Sequence, residues 1–428
     1  MKILIIGGGG REHALAWKLS HSKYSPYIYV APGNAGTLKE KNTINIDIKI
    51  NEIDLLTQFA KDNQIDLTIV GPELPLSLGI VNSFERLKLA CLGPNKECAK
   101  LESSKSYSKD FMVKYDIPTA NYKKFTDSTK AKIYLDKVNL PIVIKVDGLA
   151  SGKGVIIAKT KSKAYKTIDE IFNENMFGSA GSKIIIEEFL AGEEASFMVL
   201  SDGSTALAMA SSQDHKALYN GDNGPNTGGM GAYSPVPIVT SSIHNNIMKN
   251  IIQPVIDGMK KEGSPYKGFL YVGVMIMPNK DIKVLEFNCR LGDPETQPIM
   301  MRLESDLVDI LLAALNGTLE KFHLKWSNKH ALGVVMATDK YPDSNSYQEI
   351  ISGLNSADDM TNKIFHAGTC QKYENVFTCG GRILCVTAMG ETIEKAYENA
   401  YGLVSKISWH SEYHRTDIGY KAFTRVIT

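Results

Sequence analysis

Four consecutive glycines, Gly7–Gly10, join the apolar run Ile3–Ile6 to a stretch that reads as a helix, Arg11–Leu19. A buried strand feeding a helix through a flexible turn is the opening unit of an α/β sheet. The pattern continues with strand Tyr27–Val30, helical residues Leu55–Ala60, strand Leu67–Val70, the turn Gly71-Pro72-Glu73 and a helix near Leu78–Leu87. This alternation predicts an open, mostly parallel sheet with helices on both faces and a ligand crevice at the strand C-termini. Loops Gly7–Gly10, Pro32–Thr37 and Gly71–Glu73 would converge there. The glycine loop offers backbone N–H groups to a phosphate at a helix start, although a tight turn would also use flexible glycines. The dinucleotide pattern Gly-x-Gly-x-x-Gly fails in both frames, ending on Glu12 or His13, so a mononucleotide-sized phosphate suits the loop better than NAD.

At 428 residues the chain exceeds a single core, and two to four domains are expected. With 43% hydrophobic and 22% charged residues it has an ordinary globular composition. A net charge of +1 argues against a nucleic-acid or membrane partner held by bulk electrostatics. The apolar N-terminal run is too short for a signal peptide or anchor. Six cysteines without a Cys-x-x-Cys pair are expected to be thiols in a reducing cytoplasm, with no zinc site.

The second part of the chain opens with a Ser- and Lys-rich helix, Glu102–Asp110, in which Lys105 looks like its surface neighbours. Lys145 is different. It interrupts the apolar strand Pro141–Val146, and a buried ammonium needs an anionic partner. Residues Asp147–Gly154 follow, carrying Gly152, Lys153 and Gly154, and then strand Val155–Ala158. Two strands joined by a Gly- and Lys-bearing loop can close on a triphosphate, and a plain hairpin is the alternative. It is not a P-loop, because a strand rather than a helix comes next. Gly178–Gly181 reads as a mobile loop and Lys183–Ile186 as a strand. Glu187-Glu-Phe-Leu-Ala-Gly-Glu-Glu194 could give a backbone edge to adenine and a carboxylate to ribose, though solvated glutamate loops are common. The polar segments Ser211–Lys216 and Asn226–Gly231 suit a site wall better than a connector. A structural hydrogen bond is the expected task of His215.

Gly268–Met277 is expected to pair, through the turn Pro278-Asn279-Lys280, with the stretch Lys283–Gln297. On that second strand Glu286 and Asn288 are two residues apart and share a face. Arg290 and a Gly-Asp-Pro-Glu turn with Asp293 and Glu295 follow. Hard oxygen donors beside a guanidinium suit Mg²⁺ with a nucleotide phosphate. A salt-bridged, solvated turn fits the same residues, and the lysine-bearing lid, the glutamate hinge and the loop near Gly229 favour the metal.

Several of these segments together resemble the glycinamide ribonucleotide synthetases (phosphoribosylamine–glycine ligases), a family of the ATP-grasp superfamily. They are Ile6–Ala14, Ala31–Gly36, Lys145–Gly154, Glu187–Phe197, Gln213–Lys216, Gly224–Tyr233 and, most specifically, Arg290-Leu-Gly-Asp-Pro-Glu-Thr-Gln297. The likeness runs from Met1 to about Gly419. It implies an N-terminal doubly wound parallel sheet at 1–103, a central ATP-grasp fold at 104–326 with a lid at about 124–187, and a small mixed α/β domain at 327–428. It also implies that Lys105 and Lys145 hold ATP phosphates beneath the loop with Gly152, Lys153 and Gly154. Glu187 and Leu190 would meet adenine and Glu194 the ribose, with Glu286 and Asn288 on Mg²⁺ or Mn²⁺. Arg290 would face the γ-phosphate and the acyl phosphate. Gly9, Gly10, Asn34, Ala35 and Gly36 would take the 5-phosphate of phosphoribosylamine. Gln213, Asp214, Thr227, Gly228 and Gly229 would border the amine and glycine, with Asp293 nearby. Arg290, Lys145 and Asp214 would be the catalytic set.

The departures from the family pattern are mild. They are Gly8 for asparagine, Ser151 for alanine, Leu291 for phenylalanine, and Asp339-Lys340 where a glycine pair often precedes Tyr341-Pro342. A further carboxylate often found on the strand before the metal strand is missing from Val274-Met275-Ile276. Strands Gly333–Thr338, Ile364–Phe365 and Arg382–Thr387 and the helix Thr392–Ile407 are expected in the last domain, which should complete the cleft. Because the sequence stops at Thr428, a single activity is expected, and a monomer is expected as a separate reading. The implied reaction joins phosphoribosylamine to glycine through glycyl phosphate, in purine biosynthesis. Asp293 and Glu295 would orient Arg290 or the glycine amine. Another ATP-grasp ligase of biotin-carboxylase type and a non-catalytic nucleotide-binding or dehydrogenase-like module are the rival readings.

Overall fold

The computed structural model describes residues 1–150, 152–343, 348–356 and 359–423. Its first sheet contains β1 (Lys2–Gly7), β2 (Tyr27–Pro32), β3 (Thr43–Asn45), β4 (Leu67–Val70) and β5 (Cys91–Leu92), in the order β3-β2-β1-β4-β5. All four pairings are parallel, as the strand–helix alternation predicts. Strand order reverses at β1, so the loops after β1, β2 and β4 open on one crevice. Alternation along β1 covers both faces. Ile3 and Ile5 join one core with Leu15, Trp17 and Leu19 of helix α1 (Gly10–Ser20), while Leu4 and Ile6 join another with Leu56 and Ala60.

A four-stranded antiparallel sheet follows, made of β6 (Tyr122–Phe125), β7 (Ile142–Val146), β8 (Val155–Ala158) and β9 (Ile184–Glu188), in the order β6-β9-β7-β8. Its apolar side chains, among them Ile142, Ile144 and Ile184, form a core of their own with Ile168 of the helix Lys161–Phe172. This unit therefore holds together without borrowing from the neighbouring cores, as a lid must. Facing it is a second antiparallel sheet, in the order β11-β10-β16-β17, of β10 (Glu193–Asp202), β11 (Ala206–Ala208), β16 (Lys267–Ile276) and β17 (Ile282–Asn288). The expected hairpin is present as β16–β17, and β17 carries Glu286 opposite Gly273 and Asn288 opposite Tyr271.

The last sheet runs β12 (Gln213–Asp214), β15 (Gly231–Ser234), β18 (His330–Thr338), β22 (Arg382–Gly390) and β19 (Asn362–His366), with β23 (Glu412–Tyr413) also paired to β18. It takes strands from both sides of residue 327. The loops near residue 229 are thereby tied to the C-terminal part of the chain. The helix Ile393–Val404 packs its buried residues on this sheet. Two hairpins, β13 (Ala217–Tyr219) with β14 (Asn223–Asn226) and β20 (Thr369–Lys372) with β21 (Asn375–Thr378), complete the strands.

Local expectations fail where a single residue breaks an element. The helix near 78–87 is two helices, Glu73–Leu78 and Ile80–Arg86, separated by Gly79 at φ +91°. The helix at 102–110 is also two, because Ser104 leaves helical geometry and caps Lys105–Lys114 by accepting the Tyr107 N–H. Residues 178–182 form a 3₁₀ turn rather than an open loop, and Ala180 O accepts the Gly148 N–H. Ser151 lies outside the described residues. Cys370 and Cys379 form a disulfide, against the expectation of six thiols. The hairpin β20–β21 brings their Cα atoms to 5.9 Å, a proximity that a nine-residue separation does not reveal. Cys98, Cys289 and Cys385 are buried free thiols and Cys91 is a half-buried one. Among the described residues no helix is long and apolar enough to cross a membrane.

His215 does the structural work expected of it. Its fully buried ring donates from Nδ1 to Gly231 O and accepts the Gly419 N–H at Nε2, which fixes a neutral tautomer. Burial, reinforced by Arg415 and Lys421, pushes its pKa down to about 3. The unfolded chain then binds a proton here that the folded chain refuses, so stability is lost as pH falls from about 6.5 towards 3. In urea denaturation across that window, His215→Gln is expected to flatten the dependence of unfolding free energy on pH by up to one proton, or about 1.4 kcal/mol per pH unit. Parallel curves for variant and wild type would remove His215 as a source of acid sensitivity.

Candidate active site

One cleft of about 980 Å³ lies between the lid, the β10–β16–β17 sheet and the C-terminal ends of the first sheet. Its walls bring together Gly9, Lys105, Lys145, Gly152, Gly154, Glu187, Leu190, Glu194, Asp214, Thr227, Gly228, Glu286, Asn288, Arg290 and Asp293. Gly10, Asn34, Ala35, Gly36, Lys153, Gln213 and Gly229 do not line it. Two of these side chains are committed to protein partners. Asn34 donates to Gly8 O and His366 O and accepts the Gly36 and Thr37 N–H groups, which staples loop 33–37. Gln213 donates to Glu193 and to Glu194 O and accepts from the Tyr233 hydroxyl.

Lys145 has the anionic partner that its position in an apolar strand demands. Its ammonium lies 3.1 Å from Glu187 Oε2 and donates to Leu285 O at 2.9 Å. Lys109 approaches the other oxygen of Glu187 at 3.3 Å and donates to Thr119 Oγ1. Burial pushes the Lys109 ammonium down to about 8, against the pull of Glu187. Lys105 and Lys109 stand four apart on one helix face, and the spacing alone could have flagged the second lysine. Lys105 donates to Gly148 O at the root of the lid loop.

Lys216 closes the segment Gln213–Lys216 and links two carboxylates of the cleft. It sits 2.5 Å from Glu194 Oε1 and 3.1 Å from Glu286 Oε1, joining two carboxylates from β10 and β17, the strands on either side of β16. Burial opposes ionisation of Glu286, yet Lys216 and Lys145 outweigh it and hold the carboxyl at about 2. The Asn288 amide oxygen accepts from Arg290 Nη2 at 3.3 Å. A carboxylate and an amide oxygen on one strand face form a sparse donor set. That suits a divalent ion which keeps waters and takes its remaining ligands from a substrate phosphate.

Arg290 is oriented by residues that spacing could not identify. Its Nε donates to Glu73 at 3.1 Å and its Nη2 lies 3.0 Å from Glu102 Oε1. The expectation that Asp293 or Glu295 would orient it is therefore corrected. Asp293 accepts from Gln297 and faces Arg382, and Glu295 accepts from Ser196. Glu73 follows the β4 turn and Glu102 ends a helix 188 residues before Arg290, so the trio exists only in the folded chain. Burial and the neighbouring Glu295 charge raise the Asp214 carboxyl well above its usual range. Asp214 Oδ1 is a buried acceptor with no protein donor. On the glycine loop, Glu12 accepts the Gly9 N–H at 2.6 Å and pairs with Arg11, which in turn donates to Leu291 O. This ties the loop to the Arg290 turn.

Comparison with known proteins identifies a family for the chain. Family models of phosphoribosylglycinamide synthetase match along the chain: the N domain at residues 1–102, the ATP-grasp (A) domain at 103–296 and the C domain at 331–421. The phosphoribosylamine–glycine ligase of Vibrio vulnificus is 50% identical over 425 residues, covering 99% of both chains. That of Haemophilus influenzae gives the same identity and coverage. The crystal structure of the Thermotoga maritima phosphoribosylamine–glycine ligase superposes with a TM-score of 0.85 at 32% identity, covering 98% of this chain and 100% of that one. A biotin carboxylase from Campylobacter jejuni, in complex with β-γ-ATP, reaches a TM-score of 0.73 at 15% identity over 96% of this chain and 92% of its own, a likeness of fold alone. With all three domain models matched and half of its residues shared with full-length relatives, the chain belongs to the phosphoribosylglycinamide synthetase family and is an ATP-grasp ligase.

Proposed function

We infer that this protein is the ligase that joins 5-phosphoribosylamine to glycine at the expense of ATP, in purine biosynthesis. The observation that carries this reading is a single cleft that gathers paired lysines, Glu286 with Asn288, and Arg290 against the glycine loop. Relatives that are 50% identical over 99% of their length carry this name. In the reaction, a glycine carboxylate oxygen attacks the γ-phosphorus of ATP and ADP leaves. The amine nitrogen of phosphoribosylamine then attacks the acyl carbon of glycyl phosphate, the carbon–oxygen bond breaks, and phosphate departs with glycinamide ribonucleotide formed.

Each group in the cleft has a task in this scheme. Lys105 and Lys145 neutralise the ATP phosphates, and the lid loop with Gly152, Lys153 and Gly154 covers them. The hinge at Glu187 and Leu190 gives its backbone to adenine, while the Glu187 side chain fixes Lys145. Glu194 serves the ribose. Glu286 and Asn288 hold Mg²⁺ or Mn²⁺, which when bound offsets charge on the transferring phosphoryl group. Arg290, aimed by Glu73 and Glu102, meets that group from the other side. Gly9 and Gly10 form the α1 start that receives the 5-phosphate, where Glu12 already holds the Gly9 N–H, and Asn34, Ala35 and Gly36 support that loop from behind. Asp214, a residue of the cleft wall whose carboxyl pKa is raised, accepts a proton from the attacking amine. Thr227, Gly228 and Asp293 frame glycine from the cleft wall, with Gln213 and Gly229 behind them. We also assign domains at 1–103, 104–326 and 327–428, with a lid at about 124–187, and a monomeric, cytoplasmic enzyme with no nucleic-acid or membrane partner.

The direct assay supplies ATP, Mg²⁺, glycine and freshly made phosphoribosylamine and follows ADP. Release should accelerate only when both substrates are present, and equal rates with both and with neither would sink the reading. Glu286→Ala should lower turnover on the order of 10³-fold and raise the Mg²⁺ concentration needed for half-activity, with the thermal midpoint retained. A near wild-type rate in that variant would take Glu286 out of the metal site.

A further inference from the structure

Two side chains of the C-terminal sheet reach the cleft, and the scheme above gives neither a task. Arg382 opens β22, and Tyr341 lies in the turn after β18. Between them they grip both main-chain polar groups of Gly228. The Tyr341 hydroxyl accepts the Gly228 N–H at 2.8 Å, and Arg382 Nη1 donates to Gly228 O at 2.7 Å. The same Nη1 donates to Asp293 O at 2.5 Å, and Nη2 stands 3.6 Å from Asp293 Oδ2. The fit is close. A Cβ at Gly228 would lie 3.0 Å from the Tyr341 hydroxyl and 3.1 Å from Arg382 Cζ, and a Cβ at Gly381 would overlap the Tyr341 ring. Although burial works against its ionisation, Arg382 holds the Asp293 carboxyl below the ordinary range, aided by Arg11.

The segments gripped in this way are the ones that must stay in register. Thr227 O stands 3.3 Å from where a Cβ of Gly152 would be, so the lid loop seats on this wall. Gly229, at φ +116°, lies against Asp214 and Pro294. Asp293 Oδ2 is 3.2 Å from the Cβ position of Gly9, on the phosphate loop of the first sheet. A glycine-rich loop has many backbone states open to it, and two side chains anchored in a sheet remove that freedom.

We propose that Arg382 and Tyr341 are positioning residues that hold loop 226–229 against turn 292–295, so that the acyl phosphate meets the amine under a seated lid. The inference rests on the ligase reading. Its chemical consequence concerns which nucleophile breaks the acyl carbon–oxygen bond. With the wall in place, the amine nitrogen displaces phosphate and yields product. With the wall loose, water reaches the same carbon, returns glycine and phosphate, and leaves ATP hydrolysed without product.

The test measures ADP and glycinamide ribonucleotide in the same reactions for wild type, Arg382→Gln, Arg382→Lys and Tyr341→Phe. Arg382→Gln should lower kcat/KM for phosphoribosylamine by about 100-fold, and Tyr341→Phe by about fivefold. In both, ADP formed per product should rise above the wild-type ratio, while affinity for a non-hydrolysable ATP analogue stays unchanged. Arg382→Lys should recover only part of the coupling, because a lone ammonium lacks the second nitrogen that Arg382 places near Asp293 Oδ2 while Nη1 serves the two carbonyls. Folded variants that keep the wild-type ratio and wild-type KM values would overturn the proposal. Should Arg382→Gln fail to fold, Tyr341→Phe, which removes one hydroxyl, decides by the same ratio. A wild-type protein that makes no product sinks the ligase reading and this inference with it, whereas variants equal to an active wild type sink the inference alone.

Discussion

The buried pairing of Lys145 with Glu187 is the interaction on which the rest of the site depends. An ammonium taken out of water is costly, and the cost falls only when a carboxylate and further hydrogen bonds meet it. Here Lys145 on β7 and Glu187 on β9 belong to neighbouring strands of the lid sheet, and the same ammonium donates to Leu285 O on β17. One charge therefore links the lid to the strand that carries Glu286 and Asn288. Lys109 completes the set from a fourth element, the helix Lys105–Lys114. The cleft can gather positive charge for a triphosphate because Lys145, Lys109 and Lys216 each have a carboxylate beside them.

The same principle organises the other end of the cleft. Lys216 lies between Glu194 and Glu286, and Arg290 lies between Glu73 and Glu102. Each cation is fixed by two carboxylates from different elements, which sets its direction as well as its charge. Asp214 is the exception. It is buried beside Glu295 with an acceptor oxygen that no protein group satisfies. A carboxyl left in that state is suited to exchange a proton with a ligand, whereas one locked in an ion pair is not.

Residues whose roles follow from local geometry were legible in the chain. Glu286 and Asn288 share a face by the period of a strand, and Lys145 announces itself as a charge in an apolar run. The β16–β17 hairpin follows from two apolar runs around Pro278-Asn279-Lys280. Roles that depend on distant partners were not legible. Glu73, Glu102 and Lys216 read as ordinary charges, since a surface glutamate and a buried one look alike until their neighbours are known. The failed helix boundaries at Gly79 and Ser104 have a local cause, one residue leaving helical geometry, that periodicity averages away.

By itself the sequence determined the parallel opening sheet, the lid hairpin and the strand that presents Glu286, Asn288 and Arg290. All three are written in short-range alternation of apolar, polar and glycine residues, and their motifs suffice to mark the family. Only the tertiary structure decided what surrounds those residues. It joined β15 to β18, brought Arg382 and Tyr341 onto Gly228, and turned Glu73 and Glu102 towards Arg290. Such contacts bridge separations of up to about two hundred residues, where backbone periodicity carries no information and the packing of whole sheets sets the distance.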